Sequence, residues 1–480
     1  MSTNHTHISA YDAEVHHGKS APRIIALYTT YLSLFFFLAV PVAVWVTGET
    51  DFWGGVLRIL TTPSKLVTDY FALGGLAATL FNTAVCGYFC NWIIWLSRIK
   101  SNATTLAAYL LVVAHGFYGL NFLTMWPPLL GVLLFCRMTR RRFRDNVHVA
   151  MFSTALGPFI GELMFRYMGI ASGGEPRITV FGVILAIVFG LAAGFVVPAL
   201  LPGTTSMHRG FNMYKAGLAI GIMGIFAYAF LYRTLGVEEP TVVEITNEAY
   251  YALPYAYRGF MNVFFLLLFL STLLMGYLFN RGSFRGYLHL LRSTGYGVDF
   301  LDKFGTPVCL INFGVYGLCL LGYLNLIFIL PELFPFLPQG VGFTGATAGV
   351  LIAALTFAAD GQQPRTVAPI ALGYVLLLAV TVAICLLSGR EVPFTLSTQG
   401  YINGFAFATG LCTFSGKYGA KIGVLAGFLS AVICTSTAAM HGGLVLYNGG
   451  FNAGLTALVL LPVLDFYKIQ PKFDDDTREC

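Results

Sequence analysis

Long apolar runs recur from end to end of this chain and constrain its fold more than any other feature. Of its 480 residues, 57% are hydrophobic and only 10% are charged, whereas a soluble domain carries about a quarter charged residues. Because so few charged residues cannot cover a surface that faces water, we expect the chain to fold within the lipid bilayer. Apolar runs of roughly 20 residues, the length of a spanning helix, start near Ile24, Tyr70, Ala103, Phe122, His148, Thr179, Phe211, Phe260, Gly305, Gly342, Thr366, Leu396, Ala420 and Leu444.

These elements, about 14 in number, predict an all-α integral membrane protein with roughly 12–14 spans. The two runs on either side of Gly119 are short, and they form either two spans or a re-entrant pair of half-helices. Lys and Arg favour cytoplasmic loops, and they cluster at 98–100, 137–144 and 281–292, whereas the acidic stretch 237–248 falls on the opposite side. A multi-pass protein of the cell (inner) membrane with both termini in the cytoplasm satisfies this pattern.

The predicted segments are a cytoplasmic polar tail (1–23), a first membrane repeat (24–235), an external loop (236–255), a second membrane repeat (256–468) and a polar C-terminal tail (469–480). The first tail contains His5, His7, His16 and His17, which suit either a disordered segment or one that binds metal or senses pH. The basic residues behind the net charge of +6 sit in short inter-helix loops, so we expect no nucleic-acid partner.

The two membrane segments repeat one another in sequence. Four stretches align in order, which are 66–87 with 296–317, 118–131 with 360–373, 152–162 with 407–417, and 194–221 with 427–454. The aligned pairs include Asp69 and Asp299, Asn82 and Asn312, Gly119 and Gly361, Thr154 and Thr409, Tyr214 and Tyr447, and His208 and His441. A unit of about seven elements is odd, so the second copy is expected to lie upside down. Inverted repeats of this kind are typical of transporters.

Several motifs carry a resemblance to a known family, namely TDYFALGGLAATLFN, WPPLLGV, FSTALGPFIGE, MHRGFNMYKAG and MHGGLVLYNGGFNAG. Through them the chain resembles an uncharacterised bacterial membrane family, domain of unknown function 1576, over nearly its whole length after residue 24. The resemblance implies a multi-pass, internally duplicated protein and names no substrate. The second copy departs from the expected pattern at two places. LVLYN stands where an asparagine would align with Asn212, and Lys417 stands where an acidic residue is expected. If those positions contact a substrate, the departures imply a different substrate. LFNTAVCG, YGLN and TALGPF also resemble bacterial urea transporters, at the level of the fold alone.

Charged residues inside apolar runs are candidates for a solute pathway, because a charge at the membrane centre costs about 2.5–3.5 kcal/mol. Glu162 is followed one turn later by Arg166, so it is either a pathway contact or half of a structural ion pair. Lys417, its repeat mate, suits a pathway or a helix end from which its ammonium group extends to the interface. Asp69 and Asp299 precede spans and are expected to cap helix N-termini.

Uncharged polar pairs form a second group of candidates. Asn82 and Asn312 occupy equivalent places inside spans, where an amide suits a neutral polar solute because it donates and accepts without carrying charge. The alternative is a bond between helices, worth about 0.6 kcal/mol. Thr154 and Thr409 are a further equivalent pair of candidate pathway residues.

Turns and helix ends supply the remaining candidates. His208 and His441 lie beside Gly-rich segments after a span, where a histidine serves either as a proton relay or as a polar cap. Asn121, Asp360 and Gln363 lie at turns that precede proline-containing helices, and we predict that they contact the pathway.

Motifs for nucleotide hydrolysis or membrane hydrolases are absent from the sequence: there is no Walker A, HExxH or GxSxG, and the nine cysteines form no CxxC pair. We therefore expect no catalytic residues, no cofactor and no metal site. The prediction is a transporter or channel that passes a small polar molecule or ion between its halves, embedded in lipid and compatible with a homo-oligomer. The alternatives are a membrane-embedded enzyme acting on a lipid-linked substrate and a membrane scaffold or sensor.

Overall fold

A computed structural model describes residues 21–241 and 254–473, and most of the two polar tails and of the acidic loop lies outside them. The helices of the first half are α1 (Ala21–Thr47), α2 (Phe52–Thr61), α3 (Tyr70–Gly74), α4 (Leu76–Ser97), α5 (Ala103–Gly116), α6 (Trp126–Met138), α7 (Phe143–Ala171), α8 (Val180–Met207) and α9 (Lys215–Thr234). Those of the second half are α10 (Pro254–Phe279), α11 (Tyr287–Arg292), α12 (Phe300–Phe304), α13 (Thr306–Leu333), α14 (Gly345–Ala353), α15 (Pro364–Ser388), α16 (Gln399–Ala408), α17 (Cys412–Tyr418), α18 (Ala420–Ile433) and α19 (Asn448–Phe466).

Within the described residues, nine helices are long and apolar enough to cross a membrane. They are α1, α4, α7, α8, α9, α10, α13, α15 and α19. The chain is therefore a multi-pass membrane protein, as its apolar runs predict. Helices α5 and α6, on either side of Gly119, have 14 and 13 residues. At 1.5 Å per residue each is only about 20 Å long, which explains why the two runs look short in the sequence.

Each half contains the same capped kink in front of its second long helix. The carboxylates of Asp69 and Asp299 accept hydrogen bonds from the amides two residues further on, at 2.9 and 2.8 Å, and so cap α3 and α12 as predicted. Gly75 and Gly305 then adopt φ values of 94° and 81°, which side chains other than glycine rarely adopt. Helices α4 and α13 begin directly after these glycines.

A second backbone irregularity also occurs at aligned positions. A 3₁₀ turn interrupts α7 at Thr154–Leu156, and another separates α16 from α17 at Thr409–Leu411. In both turns the threonine hydroxyl donates to the carbonyl three residues earlier, at 2.6 Å. Hydroxyl bonds to a preceding carbonyl bend helices, so the aligned threonines produce the same local backbone in both halves.

Helices that occupy equivalent places in the two halves also contact one another. In the pair α1 and α10, Tyr28 bonds to Thr272 at 3.3 Å, and the ring of Phe36 lies 5.8 Å from that of Phe264. Tyr28 precedes Phe36 in α1, whereas its partner Thr272 follows Phe264 in α10. These two helices are therefore antiparallel.

Two further equivalent pairs meet at the centre of the molecule. Helices α9 and α19 touch at the aligned glycines Gly217 and Gly450, where a Cβ atom added to Gly217 would lie 2.5 Å from the carbonyl carbon of Gly450. Helix α14 starts beside the end of α5, since a Cβ atom on Gly345 would lie 2.6 Å from the carbonyl oxygen of Phe117. Glycine is needed at such crossings because backbones approach without an intervening side chain.

Candidate functional site

A cavity of about 300 Å³, called cavity A, opens between the two halves. The start of α9 contributes Lys215 and Gly217, the cap of α12 contributes Asp299, and the turn after α14 contributes Asp360. Gly210, which follows Arg209, also lies at its border. The other residues that line it are Thr104, Leu111, Phe152, Met213, Tyr214, Ala216, Gly295, Gly297, Val298, Phe357, Thr413 and Tyr447.

A second cavity of about 190 Å³, called cavity B, lies beside the start of α19. It is bordered by Leu66, whose neighbour Lys65 donates from Nζ to the carbonyl of Pro240 at 2.7 Å. Cavity B is therefore close to the acidic loop, whereas cavity A is close to Arg209. The other lining residues are Val67, Tyr118, Gly400, Asn403, Gly404, Phe407, Cys434, Thr435, Ala438, Leu446, Asn448 and Gly449.

The two cavities are built from aligned residues. The following pairs each have their first member in cavity A and their second in cavity B: Lys215 and Asn448, Ala216 and Gly449, Met213 and Leu446, Gly297 and Val67, Asp360 and Tyr118, and Phe152 and Phe407. The two residues of each pair are separated by the offset of one of the four aligned stretches. Most pairs differ in residue type, for example glycine with valine and lysine with asparagine. In these six pairs, a residue of one half lines cavity A and the aligned residue of the other half lines cavity B.

A layer of five rings, called the aromatic layer, separates the cavities: His115, Tyr118, Tyr214, Phe407 and Tyr447. The ring centroids of Tyr214, in cavity A, and Phe407, in cavity B, are 5.0 Å apart. His115 lies between Tyr447 at 5.2 Å and Tyr118 at 5.1 Å. These are normal distances for packed aromatic pairs, so the rings of this layer pack directly against one another between the two cavities.

The two tyrosines on the cavity A side differ in their hydrogen bonding. The hydroxyl of Tyr214 donates to the carbonyl of Ala353, at the end of α14, at 2.6 Å. The hydroxyl of Tyr447 is buried and has no hydrogen-bond partner among the described residues. A buried hydroxyl without a partner costs about 1–3 kcal/mol, and it is the kind of group that a polar solute in the cavity can satisfy.

The charged residues of cavity A are Lys215, Asp299 and Asp360. Asp299 already accepts two amide hydrogen bonds as a helix cap, whereas the side chains of Lys215 and Asp360 have no ion-pair or hydrogen-bond partner within the described residues. Asp360 lies in the turn after α14, outside the helices. Burial, helped by the nearby Asp299 carboxylate, raises the pKa of Asp360 to about 7.

A family model described as a protein of unknown function, DUF1576, matches residues 49–233 and 279–466. The chain belongs to this family. The sequence resemblance to it is confirmed. The chain matches no curated protein and no solved structure, so the likeness to urea transporters stays a prediction.

In this DUF1576 protein the predicted pair Asn82 and Asn312 forms equivalent bonds behind the cavities. The amide of Asn82 donates to the carbonyls of Gly116 and Leu120 at 2.8 and 2.9 Å. The amide of Asn312 donates at 2.8 Å to the carbonyls of Ala358 and Gln362, which align with the first two. Each asparagine thus holds the chain where α5 or α14 ends, and neither borders cavity A or cavity B.

The predicted charged pair does not converge. Glu162 is buried, accepting from Arg166 at 2.8 Å and from the Tyr232 hydroxyl at 3.1 Å, so it is half of an ion pair. The Nζ of Lys417 lies 4.2 Å from the ring centroid of Tyr296, a cation–π distance. Both residues lie apart from the lining of the two cavities.

Most of the remaining predicted residues form hydrogen bonds with the backbone or with side chains that were not predicted as site residues. Thr409 accepts a hydrogen bond from Gln362 Nε2 at 2.8 Å, and Thr154 occupies the equivalent turn. Asn121 donates to the carbonyl of Ile59 at 2.9 Å, and Gln363 donates to that of Leu291 at 3.2 Å. His208 accepts from the amide of Asn212 at 3.4 Å, and His441 contacts Asn448 of cavity B at 3.0 Å. Asp360 is the one predicted residue that borders cavity A.

Sequence reasoning missed Lys215, Tyr214, Tyr447, His115 and Phe407 as site residues. The signal for three of them was present in the repeat itself, since MHRGFNMYKAG aligns its Tyr-Lys with the Tyr-Asn of MHGGLVLYNGG. A polar position that keeps its place but changes its charge between two copies indicates a difference in chemistry. His115 and Phe407 carry no such signal, because aromatic residues in apolar runs are usual in packed cores.

Proposed function

We propose that this chain is a transporter or channel for a small polar solute, which passes between two inverted halves through the aromatic layer. The observation that carries the proposal is the pair of cavities. They share six aligned pairs of lining residues, they border loops of opposite charge character, and the rings of Tyr214 in one and Phe407 in the other are 5.0 Å apart. A pathway closed in its middle by movable side chains is what alternating access requires.

The inverted arrangement is supported by two antiparallel pairs, α1 with α10 and α5 with α14, and by the contact of α9 with α19 at aligned glycines. A two-fold axis in the membrane plane makes every helix that meets its own repeat mate antiparallel to it. The parity of the expected seven-element unit does not depend on how Gly119 is read, because replacing two spans by one hairpin changes the number of crossings by two.

We also propose a location for each cavity. Cavity A lies beside Gly210 and Gly295, in the neighbourhood of Arg209 and Arg292, and cavity B lies beside the acidic loop at Pro240. Basic loops favour the cytoplasm. In the cell (inner) membrane, with both termini cytoplasmic, cavity A then opens inwards and cavity B outwards.

Flux into proteoliposomes tests this function. The purified chain is reconstituted and the uptake of neutral, cationic, anionic and zwitterionic small solutes is compared with empty vesicles. Thr435 is exposed at cavity B, so Thr435→Trp is expected to block uptake without disturbing the core. The matched control is Leu387→Trp, at a side chain that is 90% exposed at the end of α15.

Uptake in the native chain and in Leu387→Trp, with a loss in Thr435→Trp, supports the proposal. Absence of solute-dependent uptake across the whole panel overturns it. Equal uptake in both tryptophan variants would mean that solute moves by a path other than cavity B.

A further inference from the structure

We propose that cavity A binds a zwitterion, a small solute with an ammonium group at one end and a carboxylate at the other. Its ammonium group pairs with Asp360, beside Asp299, and its carboxylate pairs with Lys215 at the start of α9. The inference rests on the proposed function, because it names the solute class for the same pathway.

The charges of cavity A are arranged for a ligand of both signs. Lys215 and Asp360 line one cavity, interact electrostatically, and yet form no ion pair with each other or with other described residues. Opposite charges on the wall of one cavity attract a molecule that bridges them. Asp360 is half-buried and so less screened by water, whereas Lys215 is exposed at the mouth of the cavity. A neutral solute would leave both uncompensated.

The first turn of α9 supplies further positive potential on the Lys215 side. Ala216 and Gly217 also line cavity A, and the N-terminal amides of a 14-residue α-helical segment carry the positive end of its dipole. A carboxylate is therefore stabilised there by the ammonium group of Lys215 and by the helix together.

The hydroxyl of Tyr447 is a buried group, without a partner in the described part of the chain, on a residue of the cavity wall. It belongs to a tyrosine that lines cavity A, is 3% exposed, and has no hydrogen-bond partner among the described residues. A bound carboxylate or ammonium group can accept from or donate to this oxygen. It would thus satisfy a group that the protein itself leaves unpaired.

Cavity B lacks these charges at the aligned places. Asn448 replaces Lys215 and Tyr118 replaces Asp360, while Asp69, the mate of Asp299, accepts from the amides of Phe71 and Gly345. The zwitterion site is therefore restricted to one of the two equivalent cavities, and binding there is expected to be the tighter step.

Calorimetric titration of the detergent-purified chain tests the inference. The probes are a series of ω-amino acids from glycine to 5-aminopentanoate, compared with ethylammonium, acetate and acetamide. We expect one length of zwitterion to bind more tightly than all three comparison solutes. Lys215→Met and Asp360→Asn should each weaken its binding by about tenfold or more, and Lys215→Arg should retain it.

Lys303→Met is the matched control, because Lys303 Nζ lies 5.8 Å from the ring centroid of Phe304 and Lys303 does not border cavity A. Ethylammonium binding as tightly as the zwitterion, or zwitterion binding that survives both Lys215→Met and Asp360→Asn, overturns the inference. Uptake of neutral solutes without zwitterion binding leaves the proposed function standing. Zwitterion binding without any uptake supports the binding site and contradicts the proposed transport function.

Discussion

Cavity A and cavity B come from aligned segments of the two halves, yet the described residues that line A include Lys215, Asp299 and Asp360, and those that line B are all uncharged. The backbones that frame them share their caps, kinks and 3₁₀ turns. Similar local backbones thus frame two cavities that differ in the charge of a few lining side chains. Under the proposed function, the cavity with charges would select the solute and the cavity without them would release it.

The largest effect is expected where the halves meet. Gly217→Ala places a Cβ atom 2.5 Å from the Gly450 carbonyl carbon, and backbone cannot yield as a side chain does. Overpacking of this kind costs about 1–3 kcal/mol or more, which thermal unfolding in detergent measures. Gly203→Ala is the control, since a Cβ atom there meets nothing within 4 Å and α8 should gain stability. Equal melting temperatures would mean that α9 and α19 do not touch here.

Removal of the paired asparagines measures how equivalent the halves are. Asn82→Ala and Asn312→Ala each leave two buried carbonyls without a donor. The expected loss is about 1–3 kcal/mol for each variant, and the two losses should be similar. Unfolding curves check this. A large loss for one variant and none for the other would break the structural comparison between the halves.

Exchange of a charge between the cavities tests their chemical difference. Lys215→Asn makes cavity A resemble cavity B and should weaken zwitterion binding about tenfold, which corresponds to about 1.4 kcal/mol. Asn448→Lys in the same chain should not restore it, because Tyr118 stands in cavity B where Asp360 stands in cavity A. Titration calorimetry measures zwitterion binding in the single and the double variant. Full recovery of binding in the double variant would mean that the lysine acts equally well in either cavity, which would contradict the chemical difference between them.

The aligned tyrosines of the aromatic layer should respond differently to the same change. Tyr214→Phe removes the donor to the Ala353 carbonyl and should destabilise the fold by about 1 kcal/mol. Tyr447→Phe removes a hydroxyl without a partner, so stability should be unchanged or higher while solute binding weakens. Melting temperatures paired with titrations check this, and identical results for both tyrosines would contradict it.

The smallest expected effect is a dependence of binding on pH. With its pKa raised to about 7, Asp360 is mostly neutral at pH 6 and mostly ionised at pH 8. Binding of an ammonium group should therefore strengthen several-fold as the pH rises through 7. Lys215, Asp299 and Asp302 are the charged groups that act on it. Titrations at both pH values measure the change, and Asp360→Asn should abolish it.

Much of the fold was predictable because its causes are local. The position of Asp69 and Asp299 before a span predicts helix caps, and the sequence on either side of Gly119 predicts two short elements, either two spans or a re-entrant pair. The aligned asparagines and threonines also reappear in equivalent hydrogen bonds. Their role was the part that sequence left open, since a buried amide looks the same whether it binds a carbonyl or a solute.

The sequence alone determined the membrane class and the family, because hydropathy and motif residues are properties of the chain in order. Only the tertiary structure decided which polar residues meet. Glu162 found an ion pair and Asn82 found two carbonyls, whereas Lys215 and Asp360, far apart in the chain, came to line one cavity. The direction in which a side chain points is set by the packing of both halves around it, and no stretch of sequence contains that packing.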